Sequence, residues 1–152
     1  MQTYKFRLLD DPPSEIALGK FLKNAQWPTT KEQIHQIKNY TPNPNLKSNW
    51  IVASINNQDI AICTFYAPKI QLAIRAPVLI ANFVVIESHQ RKKVGVQLLR
   101  EVQIYCQLNF CDKLILQATK SSINFWLSQG FLPNPAYPKN PLFLLKLLRK
   151  NY

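Results

Sequence analysis

The residues best suited to chemistry lie in one stretch, SHQRKKVGVQLL, from Ser88 to Leu99. It follows the longest apolar run in the chain, APVLIANFVVI, and leads into a helical pattern, so it reads as strand, loop and helix. A helix N-terminus offers unpaired N–H groups and the positive end of its dipole, which together make an anion site. Residues 90–96 (Gln90, Arg91, Lys92, Lys93, Val94, Gly95 and Val96) would supply those donors. Gly95 is one of only three glycines in the protein, and it removes a Cβ where a phosphate would have to come close. Arg91, Lys92 and Lys93 add mobile positive charge. Taken alone, the same stretch also describes a solvated basic turn in front of a helix.

Other familiar chemistries are weakly provided for. Cys63, Cys106 and Cys111 are odd in number and form no C-x-x-C pair, and His35 and His89 stand far apart without clustered acids. That excludes the usual metal-site spacings and reads as reduced thiols, mostly buried. The charge is the outlying quantity: 19 Lys and Arg against 8 Asp and Glu give +11, and residues 113–152 hold bases but no acid. Such an excess favours anionic partners and also simply aids solubility.

The elements that must position the basic loop can be read along the chain. At 152 residues, 47% hydrophobic and 18% charged, the sequence is that of one soluble domain, 1–152, without repeats or a low-complexity linker. A strand is expected at 3–9, then helices at 13–26 and 29–40, the second capped by Thr29 or Thr30 with Glu32 in its first turn. Prolines and asparagines make 41–49 a loop. Strands follow at 50–55 and 60–66 around the turn NNQD, with a weaker one in QLAIRAP. The run 78–86, apolar on both faces apart from Asn82, reads as a strand buried on both sides and therefore central. Leu98, Leu99, Val102, Tyr105 and Cys106 share one face of the helix behind the basic loop, which should end near Asn109. A strand at 113–118, a short helix in 121–131 with Gly130 just past its end, and a strand at 141–148 complete a mixed α/β order.

Two of these segments carry a resemblance. FVVIESHQRKKVGVQLL resembles the central motif of the GNAT family of N-acetyltransferases, an apolar strand running into Gln/Arg-x-x-Gly-x-Gly/Ala and a helix that starts with paired leucines. Gln90 takes the first position, Gly95 the final small one and Leu98–Leu99 the leucine pair, while Lys93 stands where the family has its first glycine. About thirty residues on, INFWLSQGF is similar to the second motif, Phe/Leu-Tyr-x-x-x-Gly-Phe, through Phe125, Gly130 and Phe131. The element order agrees across nearly the whole chain.

The resemblance implies an acyl-CoA N-acyltransferase-like fold, a mixed central sheet with splayed central strands flanked by helices. It implies acetyl-CoA as cosubstrate and no metal. The pyrophosphate would lie on the loop amides of 90–96. The pantetheine arm would lie between strands 78–86 and 113–118, against the backbone of Phe83, Val84 and Val85 and close to Phe125. The reaction implied is acetyl transfer to a primary amine by direct attack. It needs a deprotonated amine, a polarised carbonyl and a protonated leaving thiolate. A backbone amide near Val85 would serve the carbonyl. Trp126 stands where the family's tyrosine acid is found, and an indole N–H donates without ionising. Asn82 is the polar side chain where members often carry a strand acid.

The partners expected are therefore acetyl-CoA and an amine acceptor lying near the two N-terminal helices and the segment after Gly130. Two alternatives stay open: acylation of an anionic macromolecule such as charged tRNA, prompted by the acid-free segment 113–152, and a non-catalytic CoA-binding module. The start, MQTYKFRLLDDPP, has no signal-like apolar core, and the longest apolar run is about half the roughly 20 residues a membrane span requires. A cytoplasmic protein without a membrane segment is the expectation.

Overall fold

A computed structural model describes residues 3–27, 29–69, 77–109 and 111–148. The elements run β1 (Lys5–Leu9), α1 (Glu15–Asn24), α2 (Lys31–Asn39), β2 (Leu46–Ile55), β3 (Gln58–Pro68) and β4 (Val78–Val85). A single 3-10 turn at Glu87–His89 then leads to α3 (Val94–Leu108), β5 (Lys113–Gln117), α4 (Ile123–Ser128), β6 (Leu132–Pro133) and β7 (Phe143–Leu147). The strands form one sheet in the order β1-β2-β3-β4-β5-β7-β6. Every neighbouring pair is antiparallel except β4 and β5, which are parallel and joined through α3.

Local chemistry accounts for most of the boundaries. Ser14 caps α1, its hydroxyl accepting from Ala17 N–H at 3.1 Å. Thr30 rather than Thr29 caps α2, in a reciprocal box with Gln33. Asn56 and Asn57 turn the β2–β3 hairpin with φ of 51° and 63°, a conformation asparagine tolerates better than most residues. Strand β2 starts at Leu46, inside the segment expected to be a loop, because Leu46–Asn49 pair with Phe65–Pro68 of a β3 that also runs longer than expected. The two-residue β6 was not foreseen; it exists only as a partner for Leu144 and Leu145 of β7. The weaker strand expected in QLAIRAP falls on 71–76, outside the described residues, and Pro77 is in no strand.

The core lies between the sheet and its helices. From α3, Val94, Leu98, Leu99, Val102 and Cys106 are buried, as the helical stripe required, and Asn109 ends the helix. Tyr105 sits at the margin of that stripe, its ring 5.2 Å from Phe65 and its hydroxyl donating to Asn49 Oδ1 at 3.2 Å. Helix α1 buries Leu18, Phe21 and Leu22 and packs closely on α2, where a Cβ on Gly19 would come within 3.2 Å of Ile34 Cδ1. No helix among the described residues is long and apolar enough to cross a membrane.

One departure from regularity shapes the molecule. Strand β4 is central, but it is not buried on both faces as its composition suggested: Ala81 is exposed and Asn82, Phe83 and Val85 are only half-buried. Pairing with β3 jumps from Thr64↔Asn82 to Phe65↔Ile80, so Ala81 is the extra residue of a β-bulge. On the other side, β4 pairs with β5 only at Val78↔Leu114 and Leu79↔Ile115. Beyond Leu79 the two strands part, and a cleft opens between them.

Candidate active site

The edge of β4 that faces this cleft carries unpaired backbone. Ile86 N–H donates to Ile60 C=O, toward the β3 side, at 2.9 Å. Because backbone groups alternate along a strand, the N–H and C=O of Val85 and Phe83 face the opposite way, into the gap left by β5. The Val85 carbonyl there accepts from the Gln90 side-chain amide at 2.9 Å. An extended chain laid in the gap would find a sheet edge ready to pair with it.

The cleft holds about 770 Å³ and brings together most of the residues singled out in the sequence. Asn82, Phe83 and Val85 line it from β4, Gln90, Arg91, Lys93, Gly95 and Val96 from the loop and first turn of α3, and Phe125 and Trp126 from α4. Three others do not line it. The side chains of Val84 and Val94 are buried in the core, and Lys92 is exposed outside the cleft. His89, from the same basic stretch, lines it as well, and residues that sequence reasoning missed also contribute, notably Trp27, Thr119, Ser121 and Ser122.

The loop reaches α3 through two left-handed residues, Arg91 (φ 64°) and Lys93 (φ 63°). Lys93 is the helix N-cap and makes no side-chain cap. It therefore holds the backbone conformation that glycine would adopt without strain. The first amide taken by a helical carbonyl is that of Gln97, which donates to Lys93 C=O at 3.1 Å. The amides of 94–96 have no helical acceptor and point out of the helix end, with the dipole adding its positive potential. A Cβ on Gly95 would meet the rings of Phe125 (3.4 Å) and Phe83 (3.5 Å), so this glycine forms a bare floor between two aromatic walls.

Trp126 is buried and packs among Phe83 (5.0 Å), Phe125 (5.0 Å) and Phe131 (5.3 Å), each edge to face. The turn that ends α4 fixes this cluster. Gly130 takes φ 91°, its N–H donates to Leu127 C=O, and Phe131 N–H reaches back to Trp126 C=O. Lys146 Nζ donates to the Gln129 carbonyl at 2.7 Å at the same helix end, and partial burial lowers its pKa. Trp27 arrives by an equivalent turn at the end of α1, with Gln26 at φ 58° in the position glycine usually fills. His89 presents a buried Nδ1 that has no hydrogen-bond partner among the described residues.

Tyr66, Cys63 and Tyr137, the other side chains that could be considered as acids, do not line the cleft. Burial, helped by Tyr40, pushes the Tyr66 hydroxyl up to about 12, and burial raises the Cys63 thiol far above its ordinary range. Tyr137 stacks on Phe143 at 4.5 Å. What the cleft offers is thus a sheet edge, a helix end with free N–H groups beside Arg91 and Lys93, a hydrophobic wall, the His89 ring and neutral polar groups.

No protein-family model matches this sequence, and no curated protein does. Solved structures match over nearly the whole chain at low identity. Tetrahymena GCN5 superimposes with a TM-score of 0.72 at 17% identity, over 97% of this chain and 98% of that one. The GNAT family N-acetyltransferase YhbS of Escherichia coli, solved in complex with CoA, gives 0.73 at 14%, covering 98% and 83%. The PaiA N-acetyltransferase of Thermoplasma acidophilum, in complex with coenzyme A, gives 0.67 at 14%, covering 95% and 99%. The chain has the fold of the GNAT N-acetyltransferases: a mixed seven-stranded sheet flanked by helices, parted at its centre.

Proposed function

We propose that this protein is an acetyl-CoA-dependent N-acetyltransferase, transferring an acetyl group to a primary amine by direct attack. The observation that carries this reading is the convergence, in one cleft, of the free edge of β4 and the uncapped N-terminus of α3. A pantetheine arm is a chain of amides and matches a sheet edge; a pyrophosphate matches clustered N–H donors beside Arg91 and Lys93. The Phe83 and Val85 amides are the donors available to a thioester carbonyl. The amine lone pair attacks that carbonyl carbon, the C–N bond forms, the C–S bond breaks, and the proton lost by the amine balances the departing thiolate. The Trp126 indole N–H is a donor that does not ionise, so it cannot deliver a proton to the thiolate, and holding the reactants together provides most of the rate.

Trp126 also favours a second reading, a module that binds CoA without chemistry. Titration with acetyl-CoA, followed by thiol-release assays with a panel of amines, separates the two. Binding with thiol release supports the enzyme. Binding without release from any amine supports the module. No binding at micromolar concentration overturns both.

A further inference from the structure

We propose that Cys106 and Cys111 form a redox site, a dithiol that a low-molecular-weight disulfide such as glutathione disulfide converts reversibly into an intramolecular disulfide, with Cys111 as the attacking sulfur. The site stands at the opposite end of α3 from the turn at Lys93, about 20 Å away along the helix, and does not depend on the acetyltransferase reading.

Backbone geometry brings the pair together. Cys106 precedes Asn109, the C-cap of α3, by three residues, and Cys111 follows it by two. The Cys111 N–H donates to the Cys106 carbonyl at 2.8 Å, the closing bond of a helix end that sets the side chains at these two positions against each other. By standard bond lengths, this one bond keeps the two Cα atoms within about 6.7 Å. Disulfides span roughly 4.4–6.8 Å between Cα atoms, so the bridge fits the backbone as it stands. The side chains meet as well, the Cys106 S–H donating to the Cys111 sulfur.

That hydrogen bond makes the two thiols unlike. It lowers the Cys111 pKa against the opposing effects of burial and the Asp112 carboxylate, and with burial it raises that of Cys106. Cys111 is half-buried and Cys106 wholly buried, so an external disulfide reaches Cys111 first. Cys63, the third thiol, is wholly buried on β3 and kept protonated by that burial. The Cys111 thiolate, its proton released to solvent, attacks one sulfur of the external disulfide; a mixed disulfide forms and one thiolate leaves. Cys106 then gives its proton to solvent and attacks the Cys111 sulfur, the Cys106–Cys111 bond forms, and the second thiolate leaves. Two electrons pass from the protein thiols to the external disulfide, which becomes two thiols by taking up the two protons.

The test exposes the folded protein to glutathione disulfide, then denatures it, alkylates it with iodoacetamide and digests it with trypsin. Both cysteines fall in peptide 101–113 and Cys63 in peptide 48–69. Peptide 101–113 should lose the mass of two hydrogens, carry no glutathione and resist alkylation, while 48–69 is alkylated; dithiothreitol should reverse the change. Without oxidant, iodoacetamide should modify Cys111 of the native protein at least about tenfold faster than Cys106 or Cys63. Cys106→Ala should stop at the mixed disulfide on Cys111, and Cys111→Ser should leave both remaining thiols unmodified. The measurements on the unaltered protein decide the matter even where a variant fails to fold. A mixed disulfide that persists on Cys111, a bridge to Cys63 or no oxidation at all would overturn the inference, as would loss of the native circular dichroism on oxidation.

Discussion

Lys93 is where the residue scale is most informative. Its φ of 63° keeps a side-chain-bearing residue in the left-handed basin, at a strain of about 1 kcal/mol that glycine does not incur. Lys93→Gly should accordingly raise stability by about 1 kcal/mol in urea unfolding while preserving the loop. An unchanged or lower midpoint would mean that the lysine side chain stabilises the turn by contacts that offset its strain. Sequence alone showed Lys93 only as a departure from the glycine of the GNAT motif; the backbone angle shows that it takes a left-handed conformation open to glycine. Trp126 is the complementary case. The aromatic position was legible from the spacing to Gly130, but its burial among Phe83, Phe125 and Phe131 was not. Trp126→Tyr introduces an ionisable hydroxyl in a place that can accommodate it, at a stability loss of about 1–2 kcal/mol from the smaller ring. Turnover should increase with CoA affinity unchanged, and steady-state kinetics on a fixed amine would show it. A flat kcat would place the proton donor elsewhere.

Among the elements, legibility tracked how local the determining interactions are. The stripe on α3, its end at Asn109 and the turn at Gly130 follow from contacts within a few residues, and each could be read directly. The turn at Gln26 has the same geometry as that at Gly130 but lacks the glycine that announces it, so Trp27 was missed as a cleft residue. Strand β6 and the early start of β2 depend on partners distant in sequence, which no local pattern encodes. The same limit explains why β4 looked buried on both faces: its composition reports apolar surroundings, and the loss of β5 as a partner beyond Leu79 is a property of the pair. The end of α4 offers a direct check. Gly130→Ala would force a Cβ into a left-handed residue, 3.4 Å from Lys146 Cε, and should destabilise the fold by about 1–2 kcal/mol in thermal or urea unfolding. A neutral result would show that the last turn of α4 can relax without displacing Trp126.

For the molecule as a whole, the parting of β4 from β5, the bulge at Ala81 and the uncapped end of α3 all border one central cleft beside a cationic loop. The net charge of +11 acts at this scale: it raises the local concentration of anionic ligands and makes their binding sensitive to salt. The most direct test is calorimetric titration of CoA into the unaltered protein and into Gly95→Ala. The added methyl clears the Phe125 and Phe83 rings at 3.4–3.5 Å, so this variant folds, and replacing a helical glycine should make it up to about 1 kcal/mol more stable. Yet the methyl stands on the bare floor beside the free amides of 94–96, where the proposed pyrophosphate would lie. CoA should bind the unaltered protein at micromolar concentration or tighter, more weakly as salt rises, and at least about tenfold (1.4 kcal/mol) more weakly to Gly95→Ala despite its higher stability. Equal affinity in the two proteins would remove the phosphate site from the end of α3, and no binding to either would contradict the assignment of this cleft to CoA.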